Sequence, residues 1–305
     1  MEHSPGLVIV FGATGTGKSE VALALAERWG VPLLNADSRQ VYRRFDIGTA
    51  KPTPAERRRV PHFLWDIAEP TETLTLAQYQ KLAQAQIAAC HNLGQTPILV
   101  GGTGLYVRAV MRGLRIPEVP PQPELRSQLL ALGQPLGYAW LQQVDPVAAV
   151  KIHPNDAVRT VRALEVFYST GRPLSAWQGE TPPTYPIWAF GLNLPPHYEE
   201  RLRQRVEAML AQGWLAEIEE LWRDFGPDLP LLNTLGYAEM ARHLRGEWSQ
   251  EAAIAATVQR TRHLAKQQQT WFRHPENGGN APWLDRETAV AQILEICQKN
   301  RQGNV

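Results

Sequence analysis

Apolar and polar positions follow two rhythms along this chain. Continuous apolar runs at Leu7–Phe11 (LVIVF), within Val31–Ser38 (VPLLNADS), at Phe63–Ile67 (FLWDI) and within Thr96–Gly104 (TPILVGGTG) have the length and composition of buried strands. Between them, apolar residues recur three and four apart. The first such segment is EVALALAERW, ending at Trp29; the second is Thr75–Leu93, where Leu76, Tyr79, Leu82, Ala83, Gln86 and Ile87 mark one face and Gly94 closes the helix. A third helix is expected over Leu105–Met111. Strands alternating with helices predict a parallel sheet covered on both faces.

The rhythm then changes. IPEVPPQPEL (Ile116–Leu125) is proline-dense, and proline interrupts both sheet ladders and helix interiors. From Glu124 to Thr170 only helical spacing remains, ending at Gly171, and ETPPTYP (Glu180–Pro186) makes a second join. Ile187–Leu194 reads as a strand, so the chain is expected to return to its sheet. The rest predicts helices at His197–Gln212, Trp214–Phe225, Tyr237–Leu244 and Gln250–Phe272. The expected architecture is an α/β core from residues 1–115 and 184–305, interrupted by an all-helical insertion at 116–183.

Composition narrows the function. The 305 residues carry 31 Lys and Arg against 30 Asp and Glu, for a net charge of +1, so nucleic acid would have to be held by local patches. Cys90 and Cys297 are far apart and form no CxxC or His/Cys cluster, which argues against a disulfide framework or zinc site and fits a reducing cytosol. The first apolar run ends at Phe11 and leads straight into a glycine-rich loop, as a core strand does and a signal peptide does not. With no membrane-spanning pattern, a cytoplasmic protein is expected.

That loop carries the chemistry. GATGTGKS, Gly12–Ala13–Thr14–Gly15–Thr16–Gly17–Lys18–Ser19, has the G-x-x-x-x-G-K-[ST] spacing of a phosphate-binding loop in its required strand and helix context, so the core is expected to be P-loop NTPase-like. Its glycines let backbone N–H groups converge on an anion, Lys18 reaches the outer phosphates, and the Ser19 hydroxyl sits on Mg²⁺. A P-loop ATPase also needs a strand ending in aspartate, but ILVGGT ends in Gly101 and Gly102. The carboxylate is Asp37, at the end of the second strand, where loops of neighbouring strands share one crevice. Asp37 is placed to take a proton from a nucleophile, the alternative being a turn or cap residue. Ser38, Arg39 and Gln40 follow, side chains suited to phosphates and base edges or to a solvated loop.

Taken together, GATGTGKS, NADSRQVYRRFDIGTAKP, LVGGTGLYVRAV, DPVAAVKIHPNDAVRTVRALEVF, LGYAEM and TRHLAKQQQTWFRH closely resemble the tRNA dimethylallyltransferases over nearly the whole chain and in order. The resemblance implies transfer of a five-carbon prenyl group from dimethylallyl diphosphate to the exocyclic amine of the adenosine 3′-adjacent to the anticodon. It implies that Gly12–Ser19 hold the diphosphate with Arg205, that Asp37 is the base, and that Thr103 orients the amine or a phosphate oxygen. From sequence alone Thr103 reads equally as a helix cap, and Arg201 and Arg205, one turn apart, as a solvated face. The loop after the second strand, Asp37–Gln40, would meet the tRNA together with Thr103.

A base beside an anticodon is stacked and must be pulled out, which calls for stacking platforms and phosphate-binding cations. The segment Val158–Arg159–Thr160–Val161–Arg162 offers one surface, and Arg262, Lys266 and Arg273 on a helix segment without acids offer another, with Trp271 and Phe272 as stacking or core residues. Two departures from the family pattern, Gln267 after the lysine and Asn233–Thr234 before LGY, thin the phosphate contacts without touching the chemistry. The insertion Ile116–Pro183 is expected to close on the anticodon stem-loop, and the protein to act as a monomer. The rival readings are a P-loop kinase of a small metabolite, an enzyme prenylating free adenine nucleotides, and an RNA-binding protein with a vestigial loop.

Overall fold

The computed structural model describes residues 5–302. In chain order β1 (Leu7–Gly12) leads to α1 (Lys18–Trp29), β2 (Leu33–Asn35), one-turn α2 (Pro54–Arg57), β3 (His62–Phe63), α3 (Leu76–Asn92), β4 (Ile98–Gly101) and α4 (Gly104–Arg112). A helical run follows: α5 (Pro123–Ala131), α6 (Gln134–Val144), α7 (Pro146–Lys151), α8 (Ala157–Thr170) and α9 (Leu174–Trp177). Then come β5 (Ile187–Leu192), α10 (Tyr198–Ala211), α11 (Trp214–Phe225), α12 (Tyr237–Leu244), α13 (Gln250–Arg273), β6 (Trp283–Leu284) and α14 (Arg286–Gln302).

The strands form one parallel sheet in the order β3-β2-β4-β1-β5-β6. β1 lies inside it, paired from Val8↔Ile98 to Phe11↔Gly101 on one side and from Leu7↔Ile187 to Gly12↔Leu192 on the other. Every residue of β1 is buried, which is why its sequence is continuously apolar rather than alternating. On one face Val8, Val10, Ile98 and Phe190 pack with Val21 and Leu25 of α1 and Ile293 of α14. On the other, Phe11 stacks on Phe272 of α13 with centroids 4.6 Å apart. As expected, the chain returns through β5 after the helical run.

Three details depart from expectation. The strand placed at Phe63–Ile67 is only His62–Phe63, because Leu64 and Asp66 take positive φ values of 71° and 56° and turn the chain out of the ladder. On α3 the buried stripe is Tyr79, Gln80, Ala83, Ile87 and Cys90, leaving Leu82 42% exposed. β6 and α14 were not anticipated, although Ala289, Ile293 and Cys297, spaced four apart, form the buried stripe of α14.

The chain forms two compact units. The larger runs through Leu74, resumes at Tyr79–Met111 and again from Thr184, and holds the sheet; the smaller comprises Thr75–Gln78 and Arg112–Pro183. The smaller unit has its own core, built on Leu129, Leu141, Ala149, Val161 and Leu164. Its two buried carboxylates act as internal staples. Asp145 accepts from the backbone of Ala148 at 3.0 Å and of Ser175 at 2.8 Å, and Glu165 accepts from Arg126, Arg162 and the Gln122 amide.

Candidate active site

β1 delivers the chain to the loop Gly12–Ser19 at its carboxyl end. Gly15 and Gly17 are left-handed, with φ of 78° and 85°, and a side chain on Gly17 would lie 2.5 Å from Cδ of Arg286, so glycine is required there twice over. Gly17 caps α1, whose first amides have no intrahelical partner and face the loop's concavity. The buried Thr16 hydroxyl donates to the Ala13 carbonyl at 2.9 Å, and Lys18 Nζ donates to the same oxygen at 3.2 Å. Two side chains from distant helices pin the loop. Tyr198 of α10 donates its hydroxyl to the Thr14 carbonyl at 2.7 Å, and Gln268 of α13 accepts the Thr14 N–H at 2.9 Å while donating to the Gly102 carbonyl at 2.8 Å.

The loop opens into a cavity of about 370 Å³ walled by Thr14, Gly15, Lys18 and Ser19 on one side and Asn35, Asp37, Gln40 and Trp65 on another. Asp37 does face the phosphate loop across it. The residue also makes the turn: Oδ1 accepts the Arg39 N–H at 2.8 Å and the Gln40 N–H at 3.4 Å. The turn thereby fixes the position of the carboxylate that lines the cavity. Gly101 explains the missing carboxylate on β4, since a Cβ there would lie 2.1 Å from the Ala36 carbonyl oxygen. Backbone, not side chain, occupies that place.

Thr103 accepts the Ser38 N–H at 2.9 Å and donates to the Ser38 hydroxyl at 3.2 Å, so its side chain ties the β4 loop to the β2 loop rather than capping α4. Arg39 is exposed. Gln40 is committed internally: its amide nitrogen donates to the Thr49 and Ala50 carbonyls at 2.9 and 3.0 Å, and its oxygen accepts from Trp65 Nε1 at 2.8 Å. The same loop carries two features that sequence reasoning passed over. Lys51 is buried between Asp46 and Asp66 at 2.7 and 2.6 Å, and the Glu217 carboxylate accepts the N–H groups of Asp46, Ile47 and Gly48 together with the Tyr237 hydroxyl.

Cations crowd the cavity's phosphate side. Arg201 and Arg205 both line it, so they form no solvated face. Burial lowers Lys18 to about 8, a shift that Asp37 opposes and Arg205 assists. Burial also lowers Arg205, against Asp37 and Tyr198, and raises Tyr198 to about 12. The carboxylates of Glu20, Asp37 and Glu56 line the same cavity, but among the described residues Lys18, Arg201 and Arg205 make no ion pair with them, so the desolvated cations stand open to an incoming anion. Among the described residues no group of three metal-ligating side chains exists. Magnesium on a diphosphate takes most of its oxygens from the phosphates and water, so the exposed Ser19 hydroxyl on the cavity wall fits it without a protein cage.

The RNA-facing expectations divide. In α8, Val158 and Arg159 stand exposed at 81% and 63%, Arg159 with Asp156 3.4 Å away. Thr160 and Val161 are buried, and Arg162 bonds Glu165 and the Val119 carbonyl. Thr160 and Val161 thus face the unit's interior and Arg162 is half-buried against Glu165, so of the five residues Val158 and Arg159 are the ones with exposed side chains. On α13 the arginines have anionic partners after all: Arg262 pairs with Glu199 at 2.6 Å and Arg260 with Glu239. Arg273 lies over the Trp283 ring at 4.4 Å, while Lys266 lines a second cavity with His263 and Trp271. Phe272 is fully buried, and Trp271 packs on the backbone of Gly104, where a Cβ would lie 2.2 Å from the indole.

A parallel sheet with a phosphate loop after β1, and a carboxylate across the cavity from it, defines a P-loop enzyme of the group-transfer kind. The family model described as IPP transferase matches residues 40–275. A tRNA dimethylallyltransferase of Acaryochloris marina is 56% identical over 98% of both chains, and one of Thermosynechococcus vestitus is 57% identical over 95% of this chain and 93% of its own. The crystal structure of the full-length tRNA isopentenylpyrophosphate transferase from Bacillus halodurans is 33% identical with a TM-score of 0.68, covering 98% of this chain and 96% of its own. A eukaryotic dimethylallyltransferase captured acting on tRNA has a TM-score of 0.81 at 28% identity, covering 97% of this chain and 79% of its own. The chain belongs to the IPP transferase family, the tRNA dimethylallyltransferases, and is an enzyme. No helix among the described residues is long and apolar enough to cross a membrane.

Proposed function

We propose that this enzyme transfers the dimethylallyl group of dimethylallyl diphosphate to the exocyclic amine of the adenosine 3′-adjacent to the anticodon of a tRNA, in the cytoplasm and as a monomer. The observation that carries this reading is the shared cavity, with Lys18, Arg201 and Arg205 on one wall and Asp37 on another. The diphosphate occupies the loop Gly12–Ser19, where Ser19 would hold Mg²⁺, which would supply charge compensation when bound. As the allylic carbon–oxygen bond breaks, negative charge grows on the departing diphosphate, where Lys18, Arg205 and the loop amides stabilise it. The adenine nitrogen bonds that carbon and its proton passes to Asp37, because an amine conjugated with its ring attacks weakly until deprotonated. Thr103, through Ser38, keeps the Asp37–Gln40 turn in register with the β4 loop. Lys266, Arg273, Arg262 and the exposed pair Val158–Arg159 are the contacts proposed for the anticodon stem-loop.

Incubating the protein with unmodified tRNA, Mg²⁺ and dimethylallyl diphosphate is expected to yield prenylated adenosine and free diphosphate. Asp37→Ala should lower kcat about a hundredfold or more with tRNA affinity kept. ATP-dependent phosphotransfer without prenylation would replace this reading with the kinase, and prenylation of AMP in preference to tRNA would replace it with a nucleotide prenyltransferase.

A further inference from the structure

We propose that Trp65 is the residue that fixes prenyl chain length, closing the cavity at the end away from the phosphate loop so that a five-carbon tail fits and a ten-carbon tail does not. The inference rests on the reaction proposed above and goes beyond it. In the sheet order, β3 is separated from β1 by β2 and β4, so the crevice between the phosphate loop and the residues after β3 spans about 14 Å. Cations gather at the β1 end of the cavity. Trp65, just past β3, lines the cavity together with Ala50 and Val100. Val100 lies on β4 beside β1, and Gln40, Thr49 and Glu56 also line the cavity, so Trp65 is the large apolar side chain at its β3 end, against which the hydrocarbon of an allylic diphosphate anchored by its phosphates would come to rest.

What sets Trp65 apart is how firmly it is held. The indole is 9% exposed, and its N–H donates to Gln40, whose own amide is locked by the Thr49 and Ala50 carbonyls. The Leu64 carbonyl before it accepts from Asn35 at 3.1 Å, and the Asp66 carboxylate after it is bound by Lys51 at 2.6 Å and Arg57 at 2.7 Å. Leu64 and Asp66 hold positive φ on either side, conformations that persist only where the surroundings enforce them. His62 packs edge-on at 5.0 Å. A ring fixed in this way does not yield to a longer tail, and an added isoprene unit meets a rigid wall.

The test compares dimethylallyl and geranyl diphosphate as donors to unmodified tRNA, by kcat/KM, for the full chain and two variants. The wild type is expected to favour the five-carbon donor about a hundredfold or more. Trp65→Leu is expected to bring the ten-carbon donor to within about tenfold, with five-carbon transfer retained. Gln40→Met, which keeps the ring and frees its N–H, is expected to move the ratio the same way by a smaller factor, and it decides the matter if Trp65→Leu is recovered unfolded. Comparable use of both donors by the wild type overturns the proposal, as does an unchanged ratio in the variants. An unchanged ratio with a raised KM for tRNA would reassign Trp65 to the target base. Absence of five-carbon transfer by the wild type would instead sink the underlying reaction.

Discussion

Gln268 accepts the Thr14 N–H at 2.9 Å with one end of its amide and donates to the Gly102 carbonyl at 2.8 Å with the other. A single side chain on α13 thus joins the phosphate loop to the loop after β4, and α13 also carries Lys266 and Arg273, which are proposed to meet RNA. Gln268→Leu leaves an amide and a carbonyl without partners beside the anion site. Each lost bond is worth roughly 1 kcal/mol. The KM for dimethylallyl diphosphate should therefore rise about tenfold, with the KM for tRNA moving less. Gln268→Glu should be worse than Leu, since a carboxylate faces the Gly102 carbonyl where an N–H stood. Steady-state kinetics with each substrate varied in turn checks both.

Lys18 gives a pH signature. Burial holds its amine at about 8 in the folded, ligand-free protein, against 10.5 for an unperturbed lysine. Below pH 8 the amine is charged in both states and the fold bears its desolvation. Between about 8 and 10.5 the unfolded chain binds the extra proton, so stability rises with pH in that window. Lys18→Met should abolish the rise, and should raise the unfolding midpoint of the ligand-free protein at pH 7 by a few degrees while ending catalysis. Thermal unfolding at pH 7 to 10, wild type beside variant, measures it. A flat wild-type profile would mean that the amine is not buried in solution.

Glu217 organises the loop Asp46–Lys51 from outside the cavity. Its carboxylate takes three backbone N–H groups and the Tyr237 hydroxyl, and that loop supplies the Thr49 and Ala50 carbonyls that hold Gln40. Glu217→Ala strands those donors and should destabilise the fold by about 3 kcal/mol. Glu217→Gln is expected to recover about half of that loss, because its amide oxygen still accepts from Asp46 and Ile47 while its NH₂ group faces the Gly48 N–H. Urea unfolding of both variants is the measurement, and a fully stable Gln variant would show that the loop's amides find other partners.

How much of this was legible in the sequence follows from the range of the interactions. The loop Gly12–Ser19, its strand and its helix are local in sequence, and so is the Asp37 turn, so pattern and spacing were enough. The order of strands around β1 was legible as far as an apolar run after the proline-rich join implied a return. Gln268, Tyr198, Glu217 and Trp65 act on partners 254, 184, 169 to 171 and 25 residues away, and nothing in their neighbourhoods announces the contact. The acid-free stretch of α13 suggested an anionic partner. Part of that partner is the protein itself, through Glu199 and Glu239, which no one-dimensional pattern reveals.

Arg159 and Arg162 lie three residues apart on α8 and should fail in different ways. Arg159 is exposed, its one ion pair the solvent-screened contact with Asp156, so Arg159→Ala should weaken tRNA binding, lower its salt slope by about one, and leave thermal stability nearly unchanged. Arg162 bonds Glu165, whose carboxylate is fully buried. Burial alone would raise Glu165, but bonds from Arg126, the Gln122 amide and Arg162 outweigh it and hold the group at about 2. A depressed carboxylate contributes stability that is present above its unfolded value of 4.5 and lost as pH falls toward 2. Arg162→Ala removes one of the groups holding it down. Its folded value should rise, the stability difference from wild type should be large at pH 7 and shrink toward pH 2, and the salt slope for tRNA should move less than in Arg159→Ala. Binding titrations across salt and unfolding curves across acid pH separate the two arginines, and a shared loss of salt slope would place both on the RNA.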